Sequence, residues 1–265
     1  MRGQETQGND RGVRPVRALR ILGLLTKGCA GREILRAPFR TLLRHVLWPA
    51  SVVWFFTFAH VDAAARGGWP MLAIAGAVWL LFANSVSQGG MMLWHERLLL
   101  RDEVVPSGYL LAGAAVFPIA LFAVHLSLIR LSLFLGPGSE AWSWIAVVLA
   151  GVVAAATGLG IGILASRLSG LRPRFVHLLP RTLLGSLIVT PVFYSLSALG
   201  EVVQPWCPIN PLCVAVQLAR NGTAVEAYGL PPYAALLAVG LSLAILGWAL
   251  LTLRLPSTAF VVEHE

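Results

Sequence analysis

The stretch TPVFYSLSALGEVVQPWCPINPL, residues 190–212, begins like a membrane helix and then stops behaving as one. Pro191 lies inside its apolar run, and the aromatic pair Phe193 and Tyr194 follows. Three more prolines come after the run, at Pro205, Pro208 and Pro211. A proline removes a helical hydrogen bond, and lipid offers no replacement partner. Because broken backbone at membrane depth is tolerated only where protein or water covers it, this stretch predicts a covered, non-helical element.

The chain as a whole has the composition of a membrane protein. Of its 265 residues, 57% are hydrophobic and 12% are charged, which leaves too few polar side chains to cover a water-facing surface. The formal net charge of +8 would suit nucleic acid, but no basic and aromatic motif interrupts the apolar runs. Residues 1–44 are rich in Arg and lack the apolar core and cleavage site of a secretory signal. A bilayer is therefore the predicted environment, and nucleic acid is not a predicted partner.

Six stretches have the roughly 20 mostly apolar residues that a membrane helix requires. They are residues 45–61, 69–92, 107–136, 141–166, 182–199 and 232–253. The fifth contains the break at Pro191, and Pro232 occupies the first position of the sixth, where its missing N–H costs nothing. The predicted fold is therefore an all-α integral membrane protein with six transmembrane helices.

Lys and Arg residues are distributed unevenly between the two sides of these spans. Seventeen lie before the first span, between the second and third, between the fourth and fifth, and after the sixth. Only Arg66 and Arg220 lie in the alternate segments, and Arg130 is inside the third span. Because positive residues stay in the cytoplasm, both termini are predicted to be cytoplasmic.

The fourth span carries a stripe of small residues at three- and four-residue spacing. The stripe consists of Gly151, Ala155, Gly158 and Gly162. Small side chains on one helix face let the backbone of a second helix approach closely. We therefore predict tight helix packing along this face rather than a ligand groove.

Residues that carry chemistry are scarce inside the predicted spans. The chain has no G-x-x-x-x-G-K-[ST] to bind ATP, and no Asp or Glu lies within a span to relay protons or sodium. It has no Ser-His-Asp or H-E-x-x-H pattern either, so neither an enzyme nor a metal site is predicted. His125 either lines a polar path or makes a packing hydrogen bond, and Arg130 lies near the outer surface, where its side chain can snorkel.

The three cysteines are Cys29, Cys207 and Cys213. An odd number without a C-x-x-C pattern indicates neither a zinc site nor a disulfide framework. Cys207 and Cys213 would pair if their loop faced an oxidising periplasm. We expect instead two unpaired thiols near the membrane.

Charged segments flank the spans on the predicted cytoplasmic side. Residues 17–44 alternate apolar and basic side chains, which is typical of an amphipathic helix in the membrane interface. Its arginines either bind an anionic lipid headgroup or only anchor the helix; they are Arg32, Arg36, Arg40 and Arg44. The loop WHERLLLRDEVVPSGY, residues 94–109, has the densest mixed charge and predicts a short helix that docks a soluble partner. The loop of residues 166–181 is basic and contains no acidic residue.

Three stretches resemble a known family of membrane proteins. They are Arg32-Glu33-Ile34, the segment FANSVSQGGMMLWHERLLLRDEVVP (82–106), and residues 190–212 followed by Arg220. The order and spacing of these stretches make the chain after residue 30 similar to the permease subunits of ABC-2-type polysaccharide exporters. Among these it most resembles the group 2 capsular polysaccharide export permease, with O-antigen and teichoic acid exporters as relatives.

The resemblance implies a homodimer with two copies of a nucleotide-binding ATPase subunit docked on its cytoplasmic face. ATP and Mg would be bound by that partner, and no cofactor by this chain. The residues implied in ATPase coupling are Trp94, Glu96, Arg97, Arg101, Asp102, Glu103, Arg172 and Arg174. The second of the two contact loops departs from the family, which often has Arg-Asp where Arg172 is followed here by Pro173. Implied further partners are a periplasmic polysaccharide co-polymerase, an outer-membrane exporter, membrane lipids and the lipid-linked polysaccharide itself.

The resemblance also interprets the opening stretch. In the family the chain after the fifth span dips back as short re-entrant gate helices, and the four prolines of residues 190–212 would delimit two of them. The residues implied along the translocation path are Phe55, Phe58, His125, Phe193, Tyr194 and Trp206. The predicted domain organisation is a basic, flexible cytoplasmic N-terminus (1–30), an ABC-2-type transmembrane domain (31–256) and a cytoplasmic C-terminal tail (257–265).

Two other functions stay open on the sequence alone. The first is an ABC-2-type exporter of a small hydrophobic drug or lipid, which a narrow apolar channel would favour. The second is an integral membrane enzyme or scaffold, which needs titratable groups that converge inside the membrane. Only His125 and Arg130 meet that description, so we favour the exporters.

Overall fold

The computed structural model describes six segments of the chain and five separate residues. These are residues 69–96, 107–135, 143–171, 190–194, 204–221 and 230–254, with Phe39, Leu183, Gly185, Ser186 and Leu196. Every regular element among them is helical. The α-helices are α1 (Trp69–Glu96), α2 (Ser107–Leu135), α3 (Trp144–Leu171), α4 (Pro211–Asn221) and α5 (Pro232–Arg254). A 3-10 helix, Gln204–Ile209, precedes α4.

Four of these helices are long and apolar enough to cross a membrane. Their membrane-length segments are Pro70–Gly90 in α1, Leu111–Leu131 in α2, Trp144–Arg167 in α3 and Tyr233–Leu253 in α5. They confirm the second, third, fourth and sixth predicted spans as apolar helices, and Pro232 is the first residue of α5, as predicted. The first predicted span and the segments 1–30 and 257–265 lie outside the described residues, and the fifth span is described only in part.

Two helix boundaries differ from the prediction. Helix α1 continues to Glu96, so Trp94 and Glu96 belong to the long helix and do not begin a separate one. Nothing between residues 92 and 96 interrupts helical backbone, since the sequence there has no Gly or Pro. Helix α3 likewise extends to Leu171 and ends where Pro173 disfavours helical backbone at residue 172.

Helices α1 and α3 pack side by side through glycines of the predicted small-residue stripe. A Cβ atom added to Gly158 would lie 2.6 Å from the carbonyl oxygen of Phe82, and one added to Gly162 would lie 2.8 Å from the amide nitrogen of Gly90. The Cβ atom added to Gly162 would also meet the carbonyl oxygen of Val86, four residues after Phe82. A step of four residues along α3 thus meets a step of four residues along α1, so the two helices run in the same direction. The predicted close packing on this face is confirmed.

Helices α3 and α5 are also parallel. The hydroxyl groups of Thr157 and Ser242 lie 2.8 Å apart in a buried hydrogen bond. Gly160 lies against Ile245, and the Arg167 guanidinium donates to the Thr252 carbonyl oxygen. These three contacts keep one register along the two helices.

Helix α2 runs in the opposite direction, at the edge of the bundle. Its first turns belong to the core cluster that contains Leu159 and Ala249, whereas Ile129 near its end belongs to the cluster of the early turns of α1, α3 and α5. In an 18-residue apolar window of each segment, 67% of residues are buried in α1 and α3, against 22% in α2 and α5. The centre of the bundle is therefore the α1–α3 pair, which we call the central pair.

The three parallel helices end at one end of the bundle, which we call the basic end. Helix α5 ends at Arg254, and Arg167 lies in the last two turns of α3. In the sequence, Arg97 follows α1 and Arg172 follows α3. Because α1, α3 and α5 point the same way, Arg167 and Arg254 belong to a single end of the bundle. Arg97 and Arg172 themselves lie outside the described residues.

Replacement of Gly162 by Ala tests the α1–α3 contact. The added Cβ would meet Val86, Gly89 and Gly90 backbone, which cannot yield as a flexible side chain does. We expect the variant to lose about 1–3 kcal/mol of stability. The change is measured as a lower midpoint of thermal aggregation in detergent.

Gly247→Ala on α5 is the matched control, because a Cβ there would meet nothing within 4 Å. It should keep or slightly raise the midpoint, since Ala favours a helix over Gly by about 1 kcal/mol. Equal midpoints for the two variants would contradict the backbone contact.

Candidate functional site

The chain leaves helical geometry at Pro191. The amide of Thr190 still donates to the carbonyl of Ser186, 2.9 Å away, as in a helix. Pro191 has no N–H to continue the ladder, and the amide of Val192 turns back to the Thr190 carbonyl at 2.7 Å. The predicted break of the helix at Pro191 is therefore confirmed, and the assignment of that helix as a fifth membrane span stays a prediction. We call residues 190–194 the Pro191 break.

Two short helices follow, joined at a capped corner. The amide of Asn210 donates to the Cys207 carbonyl, 3.0 Å away, which closes the 3-10 helix. The Asn210 side-chain oxygen then accepts from the amides of Leu212 at 3.1 Å and Cys213 at 3.4 Å. This is N-capping of α4, with Pro211 at the first helical position, where its missing N–H is harmless. We call the 3-10 helix and α4 together the short-helix unit.

Cys207 and Cys213 form a disulfide bond across this corner. The expectation of two unpaired thiols is therefore wrong. The residues are six apart in the sequence, but the 3-10 turn and the Asn210 cap bring their Cα atoms to 5.4 Å, within the range a disulfide spans. Both cysteines are buried, each with 3% of its surface exposed.

Arg220, in the last turn of α4, joins the short-helix unit to the Pro191 break. Its side chain is 2% exposed. The guanidinium donates to the carbonyl oxygens of Val192 at 2.6 Å and Tyr194 at 2.9 Å. A planar guanidinium presents several N–H groups in a fixed fork, so it can satisfy two carbonyls that no helix satisfies. We call this arrangement the Arg220 clamp.

The clamp and the short-helix unit lie at the end of the bundle opposite the basic end, which we call the clamp end. Val192 and most of the buried apolar residues of α4 belong to one core cluster. The cluster also contains Ile74 of α1, Val147 of α3 and Ala234 of α5, all in early turns of their helices. With 11 residues, α4 is about 16 Å long, roughly half of a 30 Å hydrocarbon layer.

A second contact fixes the segment before the break. The indole nitrogen of Trp79 on α1 donates to the Ser186 hydroxyl at 3.3 Å, and that hydroxyl donates to the Leu183 carbonyl at 2.7 Å. The broken span is therefore held on both sides of Pro191. Trp79 holds its helical part to the central pair, and Arg220 holds its irregular part to α4.

Several buried polar atoms of the bundle have no hydrogen-bond partner among the described residues. They are Ser85 Oγ, His125 Nε2 and both amide atoms of Gln217. Gln217 lies on α4, one turn before Arg220, and is 0% exposed. Buried amides normally bind a protein group or an ordered water, so the interior next to the clamp is more polar than a lipid-facing contact.

Of the predicted path residues that the structure describes, three lie near the Arg220 clamp and one lies within α2. Phe193 is half-buried and packs against the core cluster, and Tyr194 is half-buried in the Pro191 break. Trp206 on the 3-10 helix is 65% exposed. His125 is buried in α2, and its Nδ1–H donates to the Leu121 carbonyl at 2.8 Å. Phe193, Tyr194 and Trp206 therefore share the clamp end, while His125 makes the local hydrogen bond that was one of its two predicted roles.

The other predicted sites fall mainly outside the described residues. Of the coupling set, Trp94 and Glu96 lie in the last turn of α1, and the remaining residues are outside. The headgroup arginines and the path residues Phe55 and Phe58 are outside too, although Phe39 of the same N-terminal segment is helical and 72% exposed. Among the described residues, no group of three His, Cys, Asp or Glu side chains is placed to hold a metal ion.

The sequence prediction missed the role of Arg220. The prediction counted Arg220 among the few positive charges on the side opposite the cytoplasm, whereas the structure shows that its side chain is buried. A usable signal was present, because Arg220 is the only Lys or Arg between Arg181 and Arg254. A lone guanidinium near a proline-broken apolar run indicates a donor for the carbonyls that the break releases.

Replacement of Arg220 by Lys tests the clamp while keeping the positive charge. An ammonium group cannot reproduce the planar fork, so one or both carbonyls lose their donor. We expect a loss of about 1–3 kcal/mol for each buried carbonyl left without a partner. The measurement is the thermal midpoint of the purified full chain in detergent.

Arg130→Lys is the matched control, because Arg130 is exposed on α2. The same chemical change there should alter stability by no more than about 0.5 kcal/mol. If Arg220→Lys were equally mild, the two carbonyls would have other donors and the clamp would not hold the break.

Comparison with known proteins adds no relative from which a function can be transferred. No protein-family model matches the chain, and no curated protein matches it. Its function is therefore argued from the three stretches of sequence resemblance and from the geometry that surrounds them.

Proposed function

We propose that this chain is the transmembrane permease subunit of an ATP-driven ABC-2-type exporter that moves a lipid-linked, capsular-type polysaccharide across the bacterial inner membrane. The observation that carries the proposal is the Arg220 clamp. It joins the two parts of the third stretch on which the resemblance rests, since Arg220 binds the carbonyls of Val192 and Tyr194. Asn210 caps the helix between them. Residues that the resemblance singles out in the sequence are thus linked by hydrogen bonds in the fold.

The clamp end supports a gate for a translocated substrate. A re-entrant gate contains backbone that leaves helical geometry, and at membrane depth such backbone has to be covered by protein or water. The Pro191 break has this property, because Arg220 and the core cluster around Val192 cover it. In the proposed topology, the short-helix unit re-enters the membrane between the fifth and sixth spans from the periplasmic side, and six spans place both termini in the cytoplasm.

The aromatic residues of this end suit a carbohydrate. The carbon face of a sugar ring is apolar, so it can slide over an aromatic ring without strong hydrogen bonds that would arrest it. Trp206 is exposed on the 3-10 helix, and Tyr194 lies in the break that Arg220 holds. Phe193 supports the same segment from the core side. The path proposed here is completed by a second copy of the chain, with Phe55, Phe58 and His125 further along it.

The basic end is where we propose that the partner ATPase docks and passes on the energy of ATP hydrolysis. The chain has no P-loop of its own, so ATP and Mg are assigned to two copies of a separate ATPase subunit. We call residues 94–103 the coupling segment. It begins in the last turn of α1, a helix of the central pair, and continues past Glu96 in the sequence. The acidic and basic residues of the segment suit a polar cleft on a soluble partner, and Arg172 and Arg174 provide a second contact. The headgroup arginines before the first span lie on this same proposed side, where anionic lipids and the lipid-linked substrate are found.

The first test of this function uses the coupling segment in cells. Deletion of the gene should abolish the surface polysaccharide and leave lipid-linked polysaccharide inside the cell, and the full chain should restore export. The triple variant Arg97→Ala, Arg101→Ala, Asp102→Ala should not restore it, because the partner ATPase would no longer be recruited. Surface polysaccharide and co-purified ATPase are the two measurements.

Arg66→Ala is the control for this variant, because Arg66 is predicted on the opposite side of the membrane and should export normally. A triple variant that recruits the ATPase and exports as well as the parent would contradict the coupling assignment. A deletion that leaves surface polysaccharide unchanged but increases the retention of ethidium would instead favour the exporter of small hydrophobic compounds.

The second test separates the Tyr194 ring from the Tyr194 carbonyl. Tyr194→Ala keeps the backbone oxygen that Arg220 binds, so the clamp and thermal stability should be retained. Export should fall several-fold if the ring contacts the substrate, whereas Tyr194→Phe should export as the parent does. Loss of stability in Tyr194→Ala would indicate a packing role, and normal export would remove the ring from the path.

A further inference from the structure

The disulfide of the short-helix unit lies far from the basic end. Cys213 is in the first turn of α4, whose apolar residues share a core cluster with early turns of α1, α3 and α5. The arginines of the basic end follow the last turns of those same helices. The pair and the arginines therefore occupy opposite ends of one bundle.

Two independent rules then assign the same side to the disulfide. Arginines collect on the cytoplasmic side of a membrane protein, so the opposite end faces away from the cytoplasm. Disulfides persist outside the cytoplasm and are rare within it. The first rule uses only charge and the second uses only sulfur chemistry, and each places Cys207 and Cys213 on the extracytoplasmic side.

We propose that Cys207 and Cys213 are a substrate pair for an extracytoplasmic thiol oxidase, and that their oxidation is a step in the assembly of this chain. The oxidant is a protein disulfide that acts by thiol–disulfide exchange. One cysteine thiolate attacks an oxidant sulfur and forms a mixed disulfide, with loss of one oxidant thiolate. The second thiolate then displaces the oxidant. The chain loses two electrons and two protons, and the oxidant disulfide becomes a dithiol.

The burial of the pair sets the order of events. Both cysteines are 3% exposed once the unit is packed, so a protein oxidant has no access to them in the finished fold. Exchange requires direct contact between the attacking thiolate and the oxidant sulfur. Oxidation therefore precedes the packing of α4 against α3, and reductants should not reach the bond afterwards.

The bond has a defined structural task at this corner. It spans the Asn210 cap and ties the 3-10 helix to the first turn of α4. The last turn of α4 is tied to the Pro191 break by Arg220. Helix α4 is therefore fixed at both ends, covalently at its start and by charged hydrogen bonds at its end, so that the clamp residue is held at a constant distance from the corner.

The test counts thiols in the full chain expressed in cells. Free thiols are blocked with N-ethylmaleimide in acid-trapped, denatured samples, disulfides are then reduced, and new thiols are labelled with a polyethylene glycol maleimide. The chain should gain two labels upon reduction. The Cys207→Ser variant should gain none, and the Cys29→Ser variant should still gain two. The count is made on denatured protein, so it does not depend on folding of the variants.

Two further conditions address the oxidant and the order. In a host without its extracytoplasmic thiol oxidase, grown without air, the parent chain should gain no label upon reduction. In native membranes, dithiothreitol should leave the bond intact, and the same treatment in dodecyl sulfate should open it. No gain of label in the oxidase-competent host would contradict the bond between Cys207 and Cys213. An unchanged gain in the oxidase-deficient host would contradict oxidation by a thiol oxidase. Opening of the bond in native membranes would contradict the claim that oxidation precedes packing.

The inference rests on the orientation that the proposed function includes, but not on the substrate or the ATPase. Thiol counting involves neither export nor nucleotide, so a failure of the transport tests leaves its outcome unaffected. Conversely, a chain that exports polysaccharide with two free thiols would retain the proposed function and lose this inference.

Discussion

The fold depends on how the chain satisfies the backbone carbonyls at the Pro191 break. An apolar interior offers no water to donate a hydrogen bond, so each buried carbonyl that the break leaves without a helical partner needs a partner inside the protein. The guanidinium of Arg220 supplies two of these partners with one side chain, at Val192 and Tyr194. That requirement explains why a charged residue is buried in so apolar a chain. It also explains why the short helix α4 is placed inside the bundle, since α4 has to carry the guanidinium to the break.

The rest of the bundle provides the rigid frame for this arrangement. Glycines at Gly158 and Gly162 let α3 approach the backbone of α1, and Trp79 of α1 binds Ser186 just before the break. The central pair thus positions the helical part of the broken span, while α4 positions its irregular part. Substitutions in the glycine stripe and at the clamp are therefore coupled through one structural unit, even though their side chains do not touch the same atoms.

The apolar helices and their break were within reach of the sequence, because they follow from local rules. Length and hydropathy identified α1, α2, α3 and α5, and the stripe that includes Gly158 predicted its close packing correctly. The Cys207–Cys213 bond was not predicted, since sequence spacing does not reveal the 3-10 turn that brings the two residues together. The Arg220 clamp was missed for a similar reason: its partners are carbonyl oxygens 26 and 28 residues away in the chain, and carbonyls have no signature in a sequence.

The contacts between α3 and α5 have a mechanical consequence. Three contacts hold the two helices in a single register: Thr157 with Ser242, Gly160 with Ile245, and Arg167 with Thr252. Because three contacts hold α3 and α5 in one register, the two helices cannot slide past one another. A tilt at one end of the pair is therefore transmitted to its other end. Helix α5 also contacts the 3-10 helix. A displacement of the α3–α5 pair would therefore be passed on to the capped corner at Asn210.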